Sequence, residues 1–109
     1  MRTSELSDVC GRLKADGYRL EITYMRRVEQ LHHDGRVTPL NGYYKADTIK
    51  NWGPGYRVGP CGGRVEIDLV RDGRIIVSGR ADCSDLDNFN GKLGQAIALG
   101  RCLKELQAR

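Results

Sequence analysis

No run of apolar residues in this 109-residue chain approaches the roughly 20 that a membrane-spanning helix needs. The opening MRTSELSDVCGRLKADG is polar and lacks an apolar signal core, so a cytoplasmic protein is expected. Four cysteines are present, Cys10, Cys61, Cys83 and Cys102, yet no two stand at CxxC spacing. A zinc knuckle or a dithiol redox motif therefore has no basis, and the thiols are expected to be reduced, small and mostly buried. His32 and His33 are the only histidines, and nothing in their spacing pairs them with Cys61 as a thiol–imidazole couple. No catalytic residue, metal or cofactor is assigned, and an enzyme is not expected. A phosphate-binding loop of the form GxxxxGK[ST] is missing too. Gly91 precedes Lys92, but Leu86 and Leu93 fill the places of the first glycine and the magnesium hydroxyl.

What is present is an ordinary globular balance: 39% hydrophobic, 29% charged, net charge +4. The length fits one domain, residues 1–109, which buries roughly two thirds of its unfolded surface. Arginine supplies 13 of the 18 basic residues. Its planar donor fork suits phosphate and carboxylate, although a GC-rich host genome gives the same bias.

Leu6, Val9, Cys10 and Leu13 follow helical spacing over 5–15, with Ser4 as cap and Gly17 as stop. Residues 17–29 alternate, with Tyr18, Leu20, Ile22 and Tyr24 on one face, which predicts a half-buried strand. Asp34-Gly35 marks a turn, and a weaker strand is expected over 36–46. Residues 49–64 carry five glycines and two of the three prolines, which reads as a long loop, its glycine-rich part at 51–63. Residues 64–81 read as a hairpin. A three-residue loop, Arg71-Asp72-Gly73, keeps its buried face apolar by setting Leu69 against Ile75 and Ile67 against Val77. It also sets Arg64 beside Arg80, two like charges that repel unless an anion lies between them. A last helix is expected over 88–107, capped by Asp85, Asp87 or Asn88. Its apolar arc, which includes Leu93, Ile97, Leu99, Cys102, Leu103 and Leu106, covers more than half the circumference. Gly94, Ala98, Arg101 and Glu105 take the narrow remainder. An arc that wide implies burial on a second side, hence a homodimer or larger, with Leu99, Leu103 or Leu106 at the interface. The fold class is α+β: a short N-terminal helix, a four-stranded antiparallel sheet, and a C-terminal helix packed on it.

Trp52, Tyr56 and Arg57 lie together in the glycine-rich stretch. An aromatic beside an arginine suits a base or a phosphate, a protein hot spot, or a plug that pins the loop to the core. Arg64 and Arg80 form a candidate anion site on the hairpin. Asn90 and Lys92, at a helix N-terminus with free N–H donors, and Arg101 complete the candidate ligand- or partner-binding residues. Gly94 and Gly100 each cost a helix about 0.8–1 kcal/mol against alanine, which close packing would offset. Asp82, Asp85 and Asp87 read as a solvated, capping turn.

The segment CSDLDNFNGKLGQAIALGRCLK, 83–104, resembles a C-terminal signature of small bacteriophage and prophage proteins, C-S-x-x-D-x-F-x-R-K-x-G-R-x-I-A-x-G-R. Cys83, Ser84, Asp87, Phe89, Lys92, Gly94, Ile97, Ala98, Gly100 and Arg101 match it; Gly91 and Gln95 stand where arginines are expected. In outline the chain is similar to anti-Thoeris nucleotide sponges, in which C-terminal helical arginines hold a cyclic nucleotide, and to anti-CRISPR proteins. The resemblance implies a non-enzymatic inhibitor of a bacterial defence system, acting on a host defence protein or sequestering its cyclic nucleotide signal. The alternative is a small nucleic-acid-binding module. The element order is similar to the double-stranded RNA-binding fold, but that fold needs a lysine cluster where Lys92 stands alone.

Overall fold

The computed structural model describes every residue, Met1–Arg109. A 3-10 turn, Thr3–Glu5, leads into helix α1, Leu6–Ala15. Ser4 lies inside that turn, and no side chain caps α1, so the expected Ser4 cap is not formed. The other end is built as expected. Gly17 takes φ +90°, its N–H bonds Lys14 O, and the N–H of Tyr18 bonds Leu13 O. That paired closure satisfies two free carbonyls and brings buried Leu13 and Tyr18 together.

The predicted strand over 17–29 is cut in two by Arg27. Strand β1, Arg19–Arg26, belongs to one sheet and β2, Val28–Leu31, to another. The expected strand over 36–46 divides in the same way into β3, Val37–Pro39, and β4, Tyr44–Lys45. A short helix α2, Ala46–Ile49, follows. The long loop foreseen over 49–64 is shorter than expected. Strand β5, Tyr56–Val58, forms inside it, and β6 begins at Cys61 and runs to Arg71. Strand β7, Arg74–Asn88, completes a four-stranded antiparallel sheet in the order β4-β1-β6-β7. Strands β3-β2-β5 make a smaller antiparallel sheet. Helix α3, Gly91–Gln107, returns across one face of the larger sheet, chiefly over β6 and β7.

The β6–β7 hairpin does not close through the expected three-residue loop. Asp72 (φ 54°) and Gly73 (φ 75°) form a tight two-residue turn between Arg71 and Arg74. Such a turn alone would oppose Leu69 to Ile76 and throw the apolar faces out of step. A bulge at Leu69/Val70 absorbs one extra residue of β7, and Leu69 then faces Val77, Ile67 faces Gly79 and Val65 faces Ala81. The buried face is rescued by the bulge and not by a longer loop. The same shift moves the outer face. Arg64 lies opposite Asp82 and Arg80 opposite Glu66, so the expected Arg64–Arg80 neighbours are not formed.

Helix α3 buries most of its expected apolar arc but turns part of it outward. Ala96, Ala98, Leu99 and Cys102 are fully buried, while Leu93 and Ile97 are exposed. Gly94 and Ala98, expected on the outer face, point at the sheet. A Cβ on Gly94 would stand 2.5 Å from Val65 Cγ2, and one on Gly79 would collide with Ala98 O. At Gly94 and Ala98 the helix lies so close to β6 and β7 that only small side chains fit, and the neighbouring Leu93 and Ile97 turn outward. Leu99 is sealed in the core and Leu103 and Leu106 pack against it, so these three are not the free face expected of them. Val65, Ile67, Leu69, Val77 and Ala81 complete that core from the sheet, and Leu6, Val9 and Leu13 from α1.

Candidate partner-binding surface

The small sheet is an extension, and its root is held by two arginines that sequence reasoning overlooked. Arg27 ends the run of β1. Its carbonyl accepts from Gly59 N–H at 2.9 Å, and its guanidinium reaches Gly42 O at 3.4 Å and lies 5.6 Å from the Tyr43 ring. Arg26 donates to Gly59 O at 3.0 Å and stacks over Phe89 at 4.1 Å. Its Nε is buried without a partner, and burial lowers its pKa from the ordinary value. One signal was available. Position 26 continues the even-numbered apolar face of Tyr24 and Ile22, so a charge there interrupts the pattern where the two sheets part.

Beyond that root, β2 and β3 join through a turn in which Gly35 takes φ +88° and His32 N–H bonds Arg36 O at 2.9 Å. His32 Nε2 meets Thr38 Oγ1 at 2.8 Å, while Cys61 Sγ meets Asn88 Oδ1 at 3.5 Å, so the two have separate partners. Of the ten strand residues in this sheet, only Val28 is buried. An antiparallel sheet ordinarily wets one face and packs the other. Here Glu29, Gln30, Leu31 and Tyr56 are half-buried, every residue of β3 is exposed, and no strand pairs beyond β3 or β5. The molecule is drawn out to 53 × 27 × 21 Å.

Trp52, Tyr56 and Arg57 sit at the base of this extension. Trp52 stands edge-on to Tyr44 at 4.8 Å and to Tyr56 at 5.3 Å, a half-buried aromatic ladder. Arg57 Nε bonds Glu29 Oε1 at 2.8 Å across β2–β5. The ladder leans on β4, one edge of the larger sheet, whereas Arg80 is on β7, the other edge. Three strand spacings, about 14 Å, separate those edges. Trp52, packed against Tyr44 of β4, thus stands at the opposite edge of the sheet from Arg80.

The outer face of the larger sheet is a set of matched charges. Arg64 Nε bonds Asp82 at 2.7 Å and Nη1 lies 3.5 Å from Glu66; Arg80 Nε lies 3.5 Å from Asp82. The hydrogen bond to Asp82 holds the Arg64 guanidinium above its ordinary pKa. Ser78 donates to Asp68 at 2.6 Å. Tyr43 donates to Asp85 at 3.3 Å, and burial, with Asp85 beside it, raises its pKa. Asp82, Asp85 and Asp87 are exposed, as expected of a solvated turn, but none caps α3: between Cys83, paired with Gly63, and Asn88, paired with Cys61, residues 84–87 bulge out of the β6–β7 ladder. Asn90 is the cap of α3: its Oδ1 accepts from Leu93 N–H at 3.0 Å. Lys92 is exposed in the first turn, and Arg101 reaches back to donate to Arg80 O.

Six residues of the sequence signature, Cys83, Ser84, Asp87, Phe89, Gly94 and Ile97, line one cleft of about 260 Å³ between the end of β7 and the start of α3. Val65, Ala81 and Leu93 give it an apolar floor and wall, and its polar rim is Asp82, Asp87 and Asn90. That rim repels an anion. The eight candidate residues therefore fall in three places: the base of the extension, the outer sheet face, and α3. No group of three or more His, Cys, Asp or Glu side chains is arranged to hold a metal ion, and no helix is long and apolar enough to cross a membrane. No protein-family model, curated protein or solved structure matches the chain.

Proposed function

We propose that this chain is a non-enzymatic binding protein that grips a protein partner with its three-stranded extension. The observation that carries this reading is a small sheet with only Val28 buried, no strand beyond either edge, and an aromatic ladder at its base. Such a sheet gains little from folding by itself. Exposed Val37 and Val58, beside Tyr56 and Arg57, are residue types that a partner surface buries well. Taken with the resemblance of 83–104 to small phage proteins, the partner is a component of a bacterial defence system.

Of the two targets that the resemblance allows, the charge arrangement supports the protein over the cyclic nucleotide. Arg64, Arg80 and Arg57 each already face a carboxylate. A phosphate would have to displace those partners, and the apolar cleft is rimmed by acids.

The test is phage plating on cells that carry defined CRISPR–Cas or cyclic-nucleotide defence systems. Expression of the parent chain should restore plating against one of them. Val37→Asp with Val58→Asp should abolish that rescue while the circular dichroism spectrum is kept. Failure of the parent to rescue across the panel overturns the anti-defence role. A cyclic nucleotide released in stoichiometric amount when the purified protein is denatured overturns the protein target.

A further inference from the structure

We propose that the cleft between the end of β7 and the start of α3 is a second docking site. It takes a large aliphatic side chain from a peptide segment of a partner protein, with an arginine or lysine beside that side chain. This site does not depend on what the extension binds. Its rim is made by a break in the β6–β7 ladder. Cys83 pairs with Gly63 and Asn88 with Cys61, so residues 84–87 bulge out where β6 has Gly62 alone. The bulge is tied down. Leu86 N–H donates to Ser84 Oγ at 3.2 Å, and the Cys83 thiol lies 3.6 Å from each of the carbonyls of Ser84, Asp87 and Asn88. Gly62, at φ +74°, makes room for it, since a Cβ there would collide with the Asp85 carboxylate.

Apolar surface gathers at this place. Of the eight large hydrophobic side chains that the fold leaves exposed, three are here: Leu86, 92% exposed on the bulge, and Leu93 and Ile97 on the wall of the cleft. Such a patch with a polar rim marks an interaction site. Its size limits the occupant. About 260 Å³ is below the roughly 300–1,000 Å³ that a drug-sized ligand takes, and suits one large side chain. Val65, Ala81 and Phe89 complete the apolar lining.

Charge selects what accompanies that side chain. The chain as a whole is +4, yet no Lys, Arg or His lines the cleft, and Asp82 and Asp87 do. Asp82 is already held by Arg64 and Arg80. Asp87 is exposed, and only its backbone carbonyl is engaged, by the Cys83 thiol. Its carboxylate is therefore free for an incoming cation. Asn90 caps α3 through Oδ1, which leaves its side-chain N–H groups to donate to a peptide carbonyl. Complementary charge of this kind admits a basic segment and turns away nucleic acid and anionic lipid. It also disfavours a second copy of this chain, because a two-fold contact through the cleft would bring two acidic rims together.

A random heptapeptide library displayed on phage and selected on the immobilised full chain tests the site. Enriched peptides should carry Leu, Ile or Met next to Arg or Lys. One of them, synthesised and followed by fluorescence polarisation, should bind Asp87→Lys at least tenfold and Leu93→Gln at least fivefold more weakly than the parent. Both positions are exposed, and residue 93 is the third of α3, where glutamine is well accommodated, so both variants should keep the parent's circular dichroism spectrum. Val37→Asp with Val58→Asp, which disables the extension, should bind the peptide as the parent does; the two surfaces are thereby tested apart. Absence of enrichment over the uncoated support overturns the proposal. So do enriched peptides without the aliphatic–basic pair, or a peptide whose affinity withstands either folded cleft variant or is lost in the extension variant. A parent that sediments as a dimer, and that Leu93→Gln dissociates, would give the cleft to a second copy and overturn it as well.

Discussion

Alanine at position 79 tests how closely α3 is seated. Gly79 lies in β7 without a positive φ, so alanine meets no backbone strain there. The obstacle is steric. The new Cβ would overlap Ala98 O, stand 2.8 Å from Cys102 Sγ and 3.0 Å from Cys102 N. Two of those three atoms are helix backbone and cannot rotate away, so α3 must lift from the sheet. Overpacking of this kind costs about 1–3 kcal/mol, and a backbone obstacle belongs at the upper end. At about 4 °C per kcal/mol for a domain near 100 residues, Gly79→Ala should lower Tm by about 8–12 °C. Gly11→Ala is the control. Gly11 is inside α1, and nothing lies within 4 Å of the place a Cβ would take, so alanine there should add about 0.5–1 kcal/mol, or about 2–4 °C. Circular dichroism melts at one fixed protein concentration compare the two. Opposite signs are expected; an unchanged or raised Tm for Gly79→Ala would refute the close approach of helix and strand.

Arg64→Ala should cost more than Arg80→Ala, about 1 kcal/mol against at most about 0.5, because Arg64 joins two carboxylates and is the less exposed of the two. Urea titration at low salt distinguishes them, and equal losses would contradict the charge arrangement of the outer face. Burial pushes the Cys102 thiol up to about 11 from 9.0, so the unfolded chain loses this proton first: stability is complete below pH 9 and falls as pH rises from 9 to 11, by about 2–3 kcal/mol in all. Cys102→Ala should remove that alkaline slope in urea titrations from pH 8 to 11, and an unaltered slope would assign it to other groups.

The fold class was legible because its elements announce themselves locally. Leu6, Val9 and Leu13 mark one helical face, and Val65, Ile67 and Leu69 alternate over a strand. The division into two sheets was not legible. Residues 17–29 read as one strand in composition and period, and only the arginine pair at 26 and 27 signals the break. The outward turn of Leu93 and Ile97 was hidden for a different reason. A helical wheel assigns the largest apolar side chains to the core, but what faces the sheet here is set by the distance between two backbones. Gly79 on the strand and Gly94 on the helix permit an approach that leaves Leu93 and Ile97 outside. Periodicity within one element carries no information about a close contact that depends on a glycine in another.

The site turned on a two-residue shift of register. With the loop lengthened to keep the apolar face intact, Arg64 and Arg80 stand side by side and call for an anion. With a two-residue turn and a bulge, the apolar face is equally intact, and each arginine meets a carboxylate instead. Hydrophobic pattern alone does not choose between these solutions, because both bury Val65, Ile67 and Leu69. The charged residues do. Two like charges opposed on a sheet lose roughly 0.2–1 kcal/mol, and two opposite pairs gain a similar amount. The outer faces of β6 and β7, with Arg64 and Glu66 on one strand and Arg80 and Asp82 on the other, are complementary only in the bulged register. Polar residues on the wet side of a hairpin therefore carry register information that the buried side lacks, and here they convert an apparent anion site into a closed set of ion pairs.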